Sequence, residues 1–390
     1  MPRLLHMADV HLGARHGDLA EAAALQRERQ YDAFRRAIDT ALEQAVDVVL
    51  ICGDLFDSNG QPPRTVDRAT TELRRLTDRG IRAVLIPGTH DAYDAGSLYR
   101  VFDLRQRAGL ADDSDLLTVL TTERRDVVFP ELDLVVYGRV FDTKRAPRSP
   151  LADFFTVAET RAHWKVAMVH GALFIPGKVE SDDVIFTEAE VAASGLDYLA
   201  LGHWHSFLTG RAGSTTWAYS GAPEPVAVDQ DGAGQVALVT LSELDGKRSV
   251  DVQPLTVGRT RFTKLDVDAA DVGSQTILIE RLRVLSDPDL VLDARLVGVA
   301  ADSLEVNEDD VGAALADAFL RVRFRDLSVP ALPDGALPPA DTIAGRFILD
   351  MEARIVASEK EGNVAAAAEA RAALRLGRRL LDDPRLVTLA

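Results

Sequence analysis

Asp47-Val48-Val49-Leu50-Ile51-Cys52-Gly53-Asp54 decides the fold. Its Val48–Cys52 core is a continuous apolar run, the pattern of a strand covered on both faces rather than one with a wet side. A glycine and a carboxylate follow at once. Upstream, Arg3 to Met7 reads as a short strand, and Glu21 to Ala45 as a helix with Leu25, Tyr31, Phe34, Ile38 and Leu42 on one apolar face. Downstream, Thr65 to Arg79 reads as a helix closed by Gly80, and Ile81 to Ile86 as a strand stopped by Pro87-Gly88. The order strand, helix, strand, helix, strand indicates an α/β layered fold.

Further strands are expected at Leu134 to Tyr137, Lys165 to Val169 and Tyr198 to Leu201. Trp217 to Ser220, Gln235 to Leu241 and Val250 to Leu255 predict a second, more antiparallel sheet. The expectation is a two-sheet β-sandwich flanked by helices over residues 1–257. From about Val257 the character changes, and 258–330 reads as a small α+β domain with helices near Asp271 to Leu285 and Asp309 to Phe319. Pro330 to Pro339 reads as a linker. Residues 340–390 are rich in Ala, Glu and Arg and strongly helical, with amphipathic stretches.

Composition bounds the function classes. The chain has 390 residues, 47% hydrophobic and 27% charged, so a core of normal size is available without disulfide or metal staples. Its single cysteine, Cys52, excludes an internal disulfide and favours a reducing compartment; within its apolar run it reads as a small buried hydrophobe. No signal-like segment precedes the first strand, and no apolar run is long enough to span a bilayer, so the reading is a cytoplasmic protein with no membrane attachment. The net charge of -17 excludes a simple basic nucleic-acid binder, but not a nuclease that meets phosphate through bound cations.

Five of the eight histidines lie in polar clusters that each follow a strand-like segment: Asp9-Val10-His11, Gly88-Thr89-His90-Asp91, His170-Gly171 and Gly202-His203-Trp204-His205, with Gly53-Asp54 as a further strand-end cluster. Residues i and i+2 of an extended segment point to the same side, so Asp9 with His11, and His203 with His205, can each face one ion. A carboxylate such as Asp54 can bridge two cations about 3.5–4 Å apart. Each motif alone occurs in turns and caps with no metal. Five in order at matching strand ends are not explained that way. Mixed imidazole and carboxylate ligands suit manganese, iron or zinc better than calcium or magnesium.

This ordered set resembles the calcineurin-like metallophosphoesterase superfamily. Met7 to Gly13, Gly53-Asp54-Leu55-Phe56-Asp57, Tyr198 to His205 and Tyr219 to Glu224 are more similar to its DNA repair exonuclease branch, the SbcD and YhaO type. The resemblance covers roughly the first 240 residues; the rest matches only in layout, a small capping domain and then helices. It implies that Asp9, His11 and His205 hold one divalent metal, that His170, His203 and position 89 hold another, and that Asp54 bridges them. The metals would be manganese first, with magnesium, iron or zinc as alternatives. It implies that His90 is the catalytic residue, stabilising the pentacoordinate phosphate or protonating the leaving oxygen. It further implies DNA as substrate, an SMC-like ATPase of the SbcC type docked on the C-terminal helices, and leaves a homodimer open.

Two positions depart from the family pattern. The family places asparagine where Thr89 stands, and a threonine hydroxyl is a shorter and poorer neutral ligand. Asp57 stands where some members carry a histidine. The leading expectation is a two-metal DNA exonuclease or endonuclease in repair. The alternatives are a small-molecule phosphodiesterase or phosphatase of the same superfamily and a weakly catalytic adaptor. Among the remaining candidates, Trp204 is expected to pack on the sheet or stack on a base, His6 to be core, and His16 to be a solvated loop residue. Arg27, Arg29 and Arg64 are expected on solvated faces, with phosphate contact as the sharper alternative, and His163 has no evident partner.

Overall fold

The structure, a computed structural model, describes residues 1–152, 161–177, 179, 181–226, 230, 232–301, 304–332 and 338–388. The chain divides into two compact units, Met1–Thr260 and Arg261–Ala390. The segments 258–330 and 340–390, distinguished by composition, thus fall almost wholly in one unit.

The first unit begins with β1 (Arg3–Met7), α1 (Ala23–Glu43), β2 (Val48–Cys52), α2 (Pro63–Thr77) and β3 (Arg82–Ile86). Two single turns, α3 (Leu98–Val101) and α4 (Leu104–Arg107), lead to β4 (Leu117–Val119), β5 (Asp126–Phe129) and β6 (Leu134–Arg139). β7 (Trp164–His170), the two-residue β8 (Ala172–Leu173) and β9 (Ile185–Phe186), α5 (Glu188–Ala193) and β10 (Tyr198–Gly202) follow. β11 (Leu208–Ala212), β12 (Thr215–Tyr219), β13 (Gln235–Leu244) and β14 (Lys247–Thr256) complete the unit.

Two six-stranded sheets result, in the orders β14-β13-β1-β2-β3-β4 and β11-β12-β10-β7-β6-β5. The period of two along each strand explains the layering. Leu4, Val48, Leu50, Cys52, Val84 and Ile86 of the first sheet pack against Leu134, Val136, Val166, Met168, Tyr198 and Ala200 of the second. Their sequence neighbours Leu5, Val49, Ile51, Ala83 and Leu85 pack instead under Phe34 and Ile38 of α1 and Leu73 and Leu76 of α2. Both faces of β2 are therefore covered, and all five of its residues are buried.

One expectation is corrected. β13 and β14, read from sequence as part of the second sheet, join the first: β13 lies antiparallel to β1, with Leu4 opposite Val239, while β12 runs parallel to β10 in the second sheet. The apolar alternation of Gln235 to Leu241 fits either sheet, and only the partner, distant in sequence, decides.

The second unit opens with a parallel three-stranded sheet in the order β15 (Arg261–Asp268), β16 (Asp287–Val297), β18 (Phe319–Asp326); β17 (Val299–Ala300) pairs with β19 (Val329–Pro330) beside it. The crossovers contain α6 (Gln275–Arg283) and α7 (Glu308–Leu315). Leu278, Leu282, Val311 and Leu315 of the helices bury against Val267, Leu292, Leu296 and Phe324 of the strands. The expected linker at 330–339 begins inside β19, and residues 333–337 of it lie outside the described residues. The helical tail is two helices, α8 (Ile343–Lys360), capped by Thr342, and α9 (Val364–Asp382), capped by Asn363. Gly377 leaves room for the Phe347 ring between them. Among the described residues no helix is long and apolar enough to cross a membrane.

Candidate metal centre

β1, β2 and β3 run parallel in one sheet, and β7 and β10 run parallel in the other. Every sequence-predicted site residue lies at the carboxyl end of one of these strands. Asp9 and His11 follow β1, Asp54 follows β2, Thr89 and His90 follow β3, His170 ends β7, and His203 and His205 follow β10. The first two loops are zipped together by Asp9 N–H to Gly53 O at 3.1 Å, His11 N–H to Asp54 O at 2.9 Å and Leu12 N–H to Leu55 O at 2.9 Å.

The Asp54 carboxylate stands at the middle. Its Oδ1 accepts the His90 backbone N–H at 2.8 Å. Its Oδ2 lies 3.1 Å from His170 Nε2, 3.5 Å from the Thr89 hydroxyl and 3.8 Å from His11 Nε2. Asp9 lies behind it: both its oxygens accept the His203 backbone N–H, at 3.0 and 3.1 Å, and Oδ1 is 4.0 Å from His170 Nδ1 and from His205 Nε2. The Nε2 atoms of His11 and His205 are 3.3 Å apart.

Nine non-glycine residues among those described have positive φ, and four are candidate ligands: Asp9 at 55°, His11 at 51°, Asp54 at 52° and His203 at 103°. Such residues cost of order 1–3 kcal/mol each and persist where surroundings force them. Gly53 (φ 85°) is required on two counts, since a Cβ there would also lie 2.3 Å from His170 Nδ1.

Three side chains organise the site. Asp91, fully buried, accepts N–H bonds from Gly88 (2.7 Å), Phe56 (3.1 Å) and Asp54 (3.3 Å), and the Tyr99 hydroxyl at 2.6 Å. It thereby fixes the β2 and β3 loops to each other. Sequence reading placed Asp91 in a cluster without a role and passed over Tyr99. Asp57, noted from sequence only as a departure from the family pattern, has its Oδ1 3.4 Å from His11 Nδ1 and its carbonyl 3.1 Å from His90 Nδ1. The His90 ring stands edge-on to His11, centroids 4.7 Å apart.

The charges are strongly coupled. Burial opposes a proton on His170, but Asp54 and Asp9 overcome it and push its pKa up to about 10. Burial likewise opposes charge on His11, and Asp57, Asp54 and Asp9 raise it. Burial and neighbouring His11 hold His205 down despite Asp9. Burial would raise Asp54, yet His170 and His11 hold it far below the usual carboxylate range. Protons on these rings occupy places a cation would take.

Among the described residues, three groups of histidines and carboxylates have ligand atoms close enough to share an ion: Asp9, His11 and His205; Asp9, Asp54 and His170; and His11, Asp57 and His90. Buried His11 Nδ1 and His170 Nε2 face carboxylate oxygens, Asp57 Oδ1 at 3.4 Å and Asp54 Oδ2 at 3.1 Å, without a well-formed hydrogen bond. Unbonded ring nitrogens facing carboxylates are what ligands to hard or borderline divalent cations look like. The donor set fits such ions. His203 belongs to none of the three groups, its Nε2 being turned to Asp182 Oδ2 at 2.9 Å, and Thr89 is buried beside Asp54.

Several lesser expectations are revised. His16 is buried, with Nε2 3.2 Å from Gln30 Oε1, not solvated. Arg29 is buried and donates to Thr260 Oγ1 at 3.1 Å, so it faces the core rather than phosphate. His163 pairs with Glu243 at 2.6 Å. Trp204 stacks on Tyr219 with centroids 4.9 Å apart, the packing role. His6 and Cys52 are fully buried.

Residues 2–207 match the family described as calcineurin-like phosphoesterase. The DNA double-strand break repair protein Mre11 of Aeropyrum pernix is 28% identical over 284 residues, covering 70% of this chain and 65% of that protein. The protein of the same name from Haloferax volcanii is 28% identical over 394 residues, covering 91% of this chain and 80% of its own. That of Sulfolobus acidocaldarius is 42% identical over 91 residues, covering 23% and 22%. The chain thus spans just under two thirds of the Aeropyrum pernix relative's length.

Proposed function

This chain belongs to the calcineurin-like phosphoesterase family, and on that premise we propose that it is a two-metal DNA phosphodiesterase, an exonuclease or endonuclease acting in repair. The observation that carries this is the place of Asp54 Oδ2, between His170 Nε2 at 3.1 Å and His11 Nε2 at 3.8 Å, where one carboxylate oxygen faces imidazoles from both sheets. The relatives carry the name of a DNA double-strand break repair protein, which supports DNA over a small ester.

In this reading Asp9, His11 and His205 hold one divalent cation, His170, His203 and Thr89 the other, and Asp54 both. Manganese is the first choice. When bound, the pair supplies Lewis acidity and offsets the negative charge that develops on phosphorus oxygens during an in-line displacement. The protein's part is orientation. Asp91 and Asp9 fix the loops, and the strained backbone at the ligands is held before substrate arrives. His90 reaches the site's exposed side with its Nδ1–H on the Asp57 carbonyl, so that Nε2 faces outward and, in the doubly protonated imidazolium, can donate to a phosphate oxygen or to the departing 3′ or 5′ oxygen. The tail α8–α9 is the proposed dock for an SMC-like ATPase, 258–330 the proposed capping domain, and the one-cysteine chain is placed in a reducing, cytoplasmic setting.

The test compares nucleotide release from linear DNA with turnover of bis-p-nitrophenyl phosphate, both with manganese, for the native chain, Asp54→Asn and His90→Gln. Cleavage of both substrates, abolished by Asp54→Asn, is expected. Turnover of the small ester with no DNA cleavage would instead indicate a small-molecule phosphodiesterase.

A further inference from the structure

We propose that Asp182 is a positioning residue for the second cation, holding the His203 imidazole so that one ring nitrogen is presented to the ion. This rests on reading His203 as a ligand.

His203 Nε2 is 2.9 Å from Asp182 Oδ2. A carboxylate only accepts, so Nε2 carries the proton, and Nδ1 keeps the lone pair that a cation needs. A histidine whose far N–H is given to a carboxylate is both oriented and more basic as a ligand. The carboxylate is itself fixed, because Asp182 Oδ1 accepts the Asp183 backbone N–H at 2.6 Å. The segment is tied down in turn: Arg145 Nε is 2.8 Å from Asp183 Oδ1, Ala146 N–H donates to Asp183 O at 2.8 Å, and Ala172 N–H donates to Val184 O at 2.8 Å.

His203 is gripped from its other sides as well. Its N–H is held by both oxygens of Asp9, its φ is 103°, and its ring stands edge-on to His170 with centroids 5.4 Å apart. A partly exposed His–carboxylate contact adds little to stability. A strained backbone, a twice-anchored amide and an anchored carboxylate converging on one imidazole point to presentation of that ring. The need is greater here because the neutral ligand of the same cation is Thr89, whose hydroxyl is 3.5 Å from Asp54 Oδ2. With a poor neutral donor, the second cation leans on its histidines.

The test is manganese titration by calorimetry on the full chain, with electron paramagnetic resonance to follow the manganese pair. The native chain is expected to take two equivalents. Asp182→Ala is expected to weaken the looser step by roughly 10–100-fold and leave the tighter one, with loss of the paired-manganese signal at limiting metal. Asp182→Asn keeps an oxygen that accepts from Nε2–H and is expected to recover part of the affinity. In a His203→Ala background, Asp182→Ala should change nothing further. If the native chain takes no second equivalent, the reading of His203 as ligand fails and the proposal with it. If the native chain takes two and Asp182→Ala binds both with unchanged constants, or acts equally without His203, only the positioning role is overturned.

Discussion

Asp9 accepts the backbone N–H of His203 with both carboxylate oxygens, at 3.0 and 3.1 Å, across 194 residues of sequence. One side chain from the first sheet therefore sets the backbone of a candidate ligand on the second. The two sheets meet at their carboxyl edges through a hydrogen-bonded carboxylate, not only through the apolar layer between them. Asp9→Ala removes this acceptor and leaves a largely buried N–H unpaired, so a stability loss of about 1–3 kcal/mol is expected by urea denaturation in the presence of a chelator. Asp9→Asn keeps one oxygen for the N–H and should retain most of the stability while losing manganese affinity. Equal destabilisation by both variants would show that the charge, rather than the hydrogen bond, joins the sheets.

Much of the centre was legible because its residues sit just past short apolar runs that read as buried strands. Asp54 follows Val48 to Cys52, and His203 follows Tyr198 to Gly202, so sequence order and strand direction together place them on one edge. The supporting residues were not legible. Asp182 lies in Glu180-Ser181-Asp182-Asp183, which reads as a solvated acidic loop until the fold brings it to His203. The role of Asp91 depends on three amides from two loops, none adjacent to it in a periodic pattern. Arg29 and His16 are polar residues buried by long-range partners, which local pattern cannot reveal. The parallel sheet of the second unit was missed for a related reason: β15, β16 and β18 pair only across intervening helices.

Gly88 has ordinary φ, so its glycine is required by space alone. A Cβ there would lie 2.2 Å from Asp54 Oδ1 and 2.5 Å from Asp54 N. The amide is backbone held by Asp91 and cannot retreat. Gly88→Ala is expected to displace the Asp54 carboxylate, cost about 1–3 kcal/mol of stability and weaken both manganese equivalents. A crystal structure of the variant with Asp54 unmoved and native titration constants would refute this.

His6 supplies a pH dependence separate from the metal centre. It is fully buried, with Tyr198 Oη 2.8 Å from Nδ1 and the Leu201 carbonyl 3.1 Å from Nε2. The carbonyl can only accept, so Nε2 is the protonated nitrogen and the tyrosine hydroxyl donates to Nδ1. Burial pushes its pKa down to about 3, against the smaller opposing effect of the Leu201 carbonyl. Between the unfolded value of about 6.5 and that folded value, the unfolded chain binds a proton that the folded chain refuses. Stability due to His6 is therefore fully present above about pH 6.5 and falls by about 1.4 kcal/mol per pH unit as the pH drops toward 3. In His6→Gln the slope of unfolding free energy against pH should be shallower by one proton over this window. Parallel slopes for the two proteins, measured by urea denaturation in chelator from pH 4 to 7, would rule out a buried neutral His6.

Thr89 gives the last test, and its direction is the unusual one, a gain. Its hydroxyl lies 3.5 Å from Asp54 Oδ2, at the outer limit of a hydrogen bond and farther than His170 Nε2 at 3.1 Å. An asparagine at this position reaches one bond farther and offers an amide oxygen, a better neutral ligand than a hydroxyl. Thr89→Asn is therefore expected to tighten the second manganese equivalent by about tenfold or more, leaving the first step unchanged, because in the proposed assignment Asp9, His11 and His205 hold the other cation. DNA cleavage at limiting manganese should rise with it, while cleavage at saturating metal should change little. Superimposable isotherms for the two proteins would mean that the chain has already compensated for the threonine, and the Asp182–His203 pair would be the first place to look for how.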